Sequence, residues 1–154
     1  MEDFHKILSV DLDGVMLGQK YAIKHMKKNG GSIINLCSIA GLIGIPNLFS
    51  YNAAKGAVRL ITKSAALYCC DKNYPIRINS VHPGYAHTPM VDAYPEMRTS
   101  LEALHPMAGS VTQMKLLTCA SSSLLIVLPS VLVLNLLLTG VTLLNKYKSL
   151  IFSH

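Results

Sequence analysis

The chain is poor in the residue patterns that build metal centres. Its four cysteines, Cys37, Cys69, Cys70 and Cys119, include no Cys-x-x-Cys pair, and adjacent Cys69 and Cys70 cannot form a zinc corner with the histidines at their separations. No metal site is expected, and the cysteines read as reduced cytoplasmic thiols. No arginine-rich face exists, which removes the case for nucleic-acid binding despite the formal charge of +6. Half of that excess lies in the tail: up to Met107 there are 11 basic against 8 acidic residues, and beyond it stand Lys115, Lys146 and Lys148 with no acid. No cleavable secretory signal is expected from the opening residues.

What is present is the grammar of an α/β protein. Residues 2–28 place Ile7, Val10, Val15, Leu17, Ala22, Ile23 and Met26 among charges, which predicts a long amphipathic helix. Asn29-Gly30-Gly31 ends it. Residues 32–38 form a short β-branched run and predict a buried strand, and residues 41–49, with Pro46, predict a loop. A second helix is expected over 50–73 and a second buried strand over 76–81, broken by His82-Pro83-Gly84. Residues 95–105 predict one further short helix. Helix, strand, helix, strand with short connections points to a parallel sheet.

Within this frame Tyr51 and Lys55 stand four residues apart at the start of the second helix, with Ser38 thirteen residues upstream. That spacing puts phenol and ammonium on one helix face. A nearby opposite charge favours the charged form of an ionisable group, so the pair is a candidate acid/base device. Around it lie residues 30–41 (GGSIINLCSIAG), residues 76–84 (IRINSVHPG), and Thr88-Pro89-Met90. In residue order and in the spacings between these motifs, the chain resembles the short-chain dehydrogenase/reductase family from Glu2 to about Met107. The runs 65–69, 74–77 and 82–84 look most like its bacterial hydroxysteroid-type members.

The resemblance implies the catalytic, carboxyl-terminal half of a Rossmann-type doubly wound parallel sheet over residues 1–107. It implies reversible NAD- or NADP-dependent oxidation of a secondary alcohol to a ketone, with an alcohol or ketone as the small-molecule partner. Tyr51 would exchange the hydroxyl proton and Ser38 would hold the substrate oxygen. Lys55 would assist Tyr51 and bind the nicotinamide ribose, while Pro83, Gly84, Ala86 and Thr88 match the loop that holds the nicotinamide. An asparagine on the family's fourth helix extends a proton relay through the lysine; the matching residue here is Asp11, whose charge is expected to pair with Lys55. In the family the two long helices, here 2–28 and 50–73, form the subunit interface, which implies a homo-oligomer. His82, His87 and His105 read as polar lining or surface.

No Gly-x-x-x-Gly-x-Gly turn and no acidic residue ending a second strand is found, although dinucleotide sites of such folds need both. The chain begins at what corresponds to the family's fourth helix, and as it stands it is expected to bind the cofactor weakly and to be inactive. The family likeness stops at residues 108–154, a hydrophobic tail with no charged residue from Leu116 to Asn145. That stretch is long enough to span a bilayer and is flanked by lysines, so one reading is a small membrane-anchored or helix-mediated interaction protein. The preferred reading is a frameshift after Met107. In the frame starting at the third base of that codon, Met107-Ala108 forces Gly, Met114-Lys115 forces Glu and Asn145-Lys146 permits a stop. The remaining codons permit a segment like the family's last helix and strand, and the expected location is then the cytoplasm.

Overall fold

A computed structural model describes residues 1–85 and the backbone of 135–137. The expectations for Ala86, Thr88, the helix at 95–105, His87, His105 and most of the tail lie outside the described residues. The first helical stretch comprises α1 (Glu2–Leu8), a π-helical turn (Ser9–Asp13) and α2 (Gly14–Met26). Backbone angles stay right-handed helical through both junctions, so a single rod carries a wide turn in its middle. The Ser9 hydroxyl donates to the Lys6 carbonyl at 2.8 Å at the start of this turn, a back-bond that competes with the regular ladder. Sequence periodicity gave no sign of the wide turn.

The helix ends where the glycines require it. Gly30 has φ +74°, and a Cβ there would lie 2.5 Å from the Pro75 carbonyl oxygen, so only glycine fits the turn that closes on Pro75. Strand β1 (Gly31–Leu36) follows, then a 3-10 turn (Ile39–Gly41), helix α3 (Phe49–Asp71) and strand β2 (Ile76–His82). Asn73, at φ +52°, closes α3, with Tyr74 N–H donating to the Cys69 carbonyl at 2.8 Å.

β1 and β2 pair in parallel, with Gly31 opposite Ile76 and Leu36 opposite Val81. One side of this pair is covered by α2 and α3 through Ile33, Ile76, Ile78, Ala65, Ala66 and Cys69, with Ala22, Ile23, Met26 and Tyr74 packed against them. A polar knot lies in the same layer. Asn35 donates to Gln19 at 2.6 Å and to Thr62 at 2.9 Å, while Thr62 donates to the Val58 carbonyl at 2.7 Å, so β1, α2 and α3 are joined by satisfied buried groups.

One expectation needs correction. His82 belongs to β2 and is fully buried; it is neither a strand breaker nor a surface or lining residue. The tail also contributes to the sheet: β3 (Asn135–Leu137) pairs in parallel with β2, Ser80 opposite Asn135, giving the order β1-β2-β3. The free edge of β2 offers main-chain donors and acceptors, which pair with an extended segment irrespective of its side chains. Among the described residues, no helix is long and apolar enough to cross a membrane.

Candidate active site

Parallel strands deliver their loops to one end of the sheet, and the carboxyl ends of β1 and β2 carry Ser38 and Pro83-Gly84 there side by side. The register continues past β1: Cys37 N–H donates to the Val81 carbonyl at 2.8 Å and Ile39 N–H to the Pro83 carbonyl at 2.9 Å. Ser38, with φ −159° and ψ 162°, is the last extended residue before the 3-10 turn and caps it, its Oγ accepting from Ala40 N–H at 3.1 Å. That bond occupies an acceptor lone pair and leaves the hydroxyl proton for another partner.

The first turns of α3 bring Tyr51 and Lys55 to this end. Lys55 is 8 % exposed, a low value for a lysine, and its Nζ lies 5.4 Å from the centroid of the Tyr51 ring, within cation–π range. The charge is met by Asp11 Oδ1 at 2.8 Å, the pairing expected from the sequence. Asp11 sits in the π-helical turn, which packs against α3. Wide turns of this kind often mark functional positions. Among the described residues Asp11 is the one hydrogen-bonding partner of the ammonium, so two of its three N–H donors remain for a ligand.

Two residues that the motif reading passed over shape the site. Asn52, next to Tyr51, donates from its amide to the Ala40 and Ile43 carbonyls, both at 2.7 Å, and its Oδ1 accepts from Ile45 N–H at 3.3 Å. It therefore ties the loop after Ser38 to the helix that carries Tyr51. An asparagine inside a helical run beside a loop was the available signal, since this side chain prefers to bond local backbone. Gly41 is the other. A Cβ there would come within 2.7 Å of the Lys55 carbonyl oxygen and 2.8 Å of Cys37 Sγ, so glycine lets the turn press against α3. The buried Cys37 thiol lies 3.1 Å from the same carbonyl and donates to it. Burial pushes Cys37 above its ordinary value, and backbone and lysine charges offset this only in part. The Tyr85 phenol, next to Gly84, is likewise pushed up by burial.

Ser38, Tyr51, Lys55, Asp11, Pro83 and Gly84 thus gather at one end of the sheet, while Ala86 and Thr88 lie beyond the described residues. Comparison with known proteins agrees with this architecture. The family model described as Enoyl-(Acyl carrier protein) reductase matches residues 1–123, past the limit at Met107 drawn from the sequence. An NADP-dependent (R)-specific alcohol dehydrogenase of Lentilactobacillus kefiri is 55% identical over 93 residues, 59% of this chain and 37% of that protein. A cyclohexanol dehydrogenase of Acinetobacter sp. (strain SE19) is 43% identical over 108 residues, 70% of this chain and 41% of that one. The chain thus spans less than half the length of these curated relatives. The solved structure of ElxO with NADP bound superposes with a TM-score of 0.77 at 31% identity, covering 93% of this chain and 59% of that one. The chain belongs to the short-chain dehydrogenase/reductase family.

Proposed function

We propose that these residues serve the reversible NAD(P)-dependent oxidation of a secondary alcohol to a ketone, with hydroxysteroid-like alcohols among the candidate substrates. The observation that carries the reading is the Tyr51–Lys55–Asp11 cluster beside Ser38 at the carboxyl ends of parallel strands, the end at which open α/β sheets bind ligands. A nicotinamide cofactor, when bound, supplies or accepts the hydride. The donor set fits such a group: Lys55 retains two N–H donors, and buried Pro83 leads into Gly84, where no side chain obstructs a flat ring. Lys55, Pro83 and Gly84, with Ala86 and Thr88 farther along, would hold it.

In the direction of reduction, Tyr51 gives its phenolic proton to the carbonyl oxygen, and in oxidation it takes the alcohol proton back. Ser38 donates a hydrogen bond to the same oxygen, the role its Ala40-fixed rotamer leaves open. Lys55 places its charge against the Tyr51 ring and stabilises the phenolate left after donation. Asp11 holds that ammonium in place.

The test is NAD(P)H oxidation with a panel of cyclic and steroid ketones, run at high cofactor concentration because the chain carries no glycine-rich pyrophosphate turn. Tyr51→Phe and Ser38→Ala should each lower kcat about 100-fold or more, the usual worth of a positioned proton donor. Turnover that survives Tyr51→Phe, or no ketone-dependent turnover with either nucleotide once the chain is joined to a glycine-rich nucleotide-binding half, refutes the proposal.

We also propose a second copy of the chain as partner. Met16, Leu17 and Tyr21 on α2 and Leu60, Leu67 and Tyr68 on α3 are about half exposed or more, large apolar side chains that a second copy would cover. Sedimentation should show a dimer that Leu67→Glu dissociates; a wild-type monomer at micromolar concentration would rule it out. The free thiols Cys37, Cys69 and Cys70 suit a cytoplasmic location.

A further inference from the structure

His82 is a fully buried titratable side chain that the proposed proton transfer does not use. Its ring joins two elements. Nδ1 lies 3.0 Å from the Ser38 carbonyl oxygen and Nε2 lies 2.9 Å from Ser80 Oγ. A carbonyl only accepts, so Nδ1 carries the proton; in the neutral ring Nε2 is then an acceptor and receives the hydroxyl of Ser80. Ser80 is itself fully buried on the same strand and fixes the far side of the ring.

The Ser38 carbonyl needs such a donor. The bonds that continue the ladder between the two strand ends are made by its neighbours, Cys37 to Val81 and Ile39 to Pro83. Ser38 turns out of the ladder, and its carbonyl is met by Gly41 N–H at 3.0 Å and by the His82 ring. The imidazole therefore ties the backbone of Ser38 to the strand that runs directly into Pro83-Gly84. On the other side, Asn52 holds Ala40, whose N–H holds the Ser38 hydroxyl oxygen.

We propose that His82 is a positioning residue for the reaction: it acts through the Ser38 carbonyl to set where the Ser38 hydroxyl stands relative to the Pro83-Gly84 loop. The proposal rests on the reading of Ser38 as the group that holds the substrate oxygen. Asparagine at position 82 places an amide nitrogen near the location of Nδ1 and preserves the donor, glutamine carries its amide past it, and phenylalanine fills the volume with no donor.

Three measurements on the full 154-residue chain decide the matter. Nitrogen NMR of labelled histidine should show His82 as the Nδ1–H tautomer, identified by its loss in His82→Asn; the Nε2–H tautomer overturns the proposal. Amide hydrogen exchange at Ile39 and Gly41 should quicken about tenfold in His82→Phe and His82→Gln, return towards wild type in His82→Asn, and stay unchanged at Ile23, in α2. Wild-type exchange in His82→Phe overturns it. In ketone reduction, His82→Phe should lower kcat with little change in KM for the cofactor and add nothing further to Ser38→Ala. If Ser38→Ala leaves turnover intact while the tautomer and exchange results hold, the reading of the site fails and His82 is reduced to a structural tie; if Ser38→Ala abolishes turnover and His82→Phe does not alter it, the positioning role alone fails.

Discussion

Replacing Asp11 by alanine strips the carboxylate from an ammonium that the fold has largely taken out of water. The pair closes to 2.8 Å, with the lysine side chain 10% and the aspartate 30% exposed. At an effective dielectric of about 20 the attraction at this separation is roughly 6 kcal/mol before desolvation is counted. Removing one partner of a fully buried pair costs about 3–5 kcal/mol, whereas a pair on the open surface contributes about 0–1. Asp11 lies between these limits because water reaches it, and a loss of about 2 kcal/mol is expected for Asp11→Ala. Asp11→Asn keeps an oxygen for the ammonium and should lose about half as much. The assay is urea unfolding followed by circular dichroism, run as a double-mutant cycle with Lys55→Met to cancel the effect of alanine on the π-helical turn itself. A coupling of about 1–2 kcal/mol is expected. If Asp11→Ala costs the same with and without Lys55, the ion pair contributes nothing and the argument for Asp11 in the site collapses.

Asn52→Asp keeps the acceptor for Ile45 N–H but loses both amide donors and turns a carboxylate on the Ala40 and Ile43 carbonyls; thermal unfolding should show a loss of about 2–3 kcal/mol, and an unchanged midpoint would mean the loop is held without it. Gly41→Ala forces a methyl into the Lys55 backbone and Cys37 Sγ and should destabilise by about 1–3 kcal/mol, with larger residues worse; a neutral result would show that the turn can retreat from α3. Burial raises Cys37 from its ordinary 9.0, so the folded chain holds this proton more tightly than the unfolded one. The associated stability is intact below that value and is lost as pH rises through the folded one. Cys37→Ala should therefore flatten the alkaline fall in melting temperature, leaving the parts due to Cys69 and Tyr85, also raised by burial; an identical alkaline limb would contradict the assignment.

The family and its Tyr51–Lys55 pair were legible in the sequence because they depend on local geometry. A spacing of four on a helix fixes a shared face whatever the rest of the chain does, and Gly30 and Asn73 mark helix ends through backbone conformations that other residues resist. The strand limits followed from runs of β-branched residues and fell within a residue or two of those observed. The Asp11–Lys55 pairing was expected from the family resemblance, while the other contacts between distant segments were decided by the tertiary structure. The π-helical turn that aims Asp11 at Lys55 has no compositional signal, since one extra residue in a turn changes hydrophobic periodicity too little to read. Gln19, Asn35 and Thr62 look like surface residues one by one; they are buried because Asn35 bonds both of the others and so satisfies them across three elements. His82 looked like part of a strand-breaking turn for the same reason. A polar side chain in a sequence states what it can bond, and only the fold supplies the Ser38 carbonyl 44 positions away that makes its burial affordable.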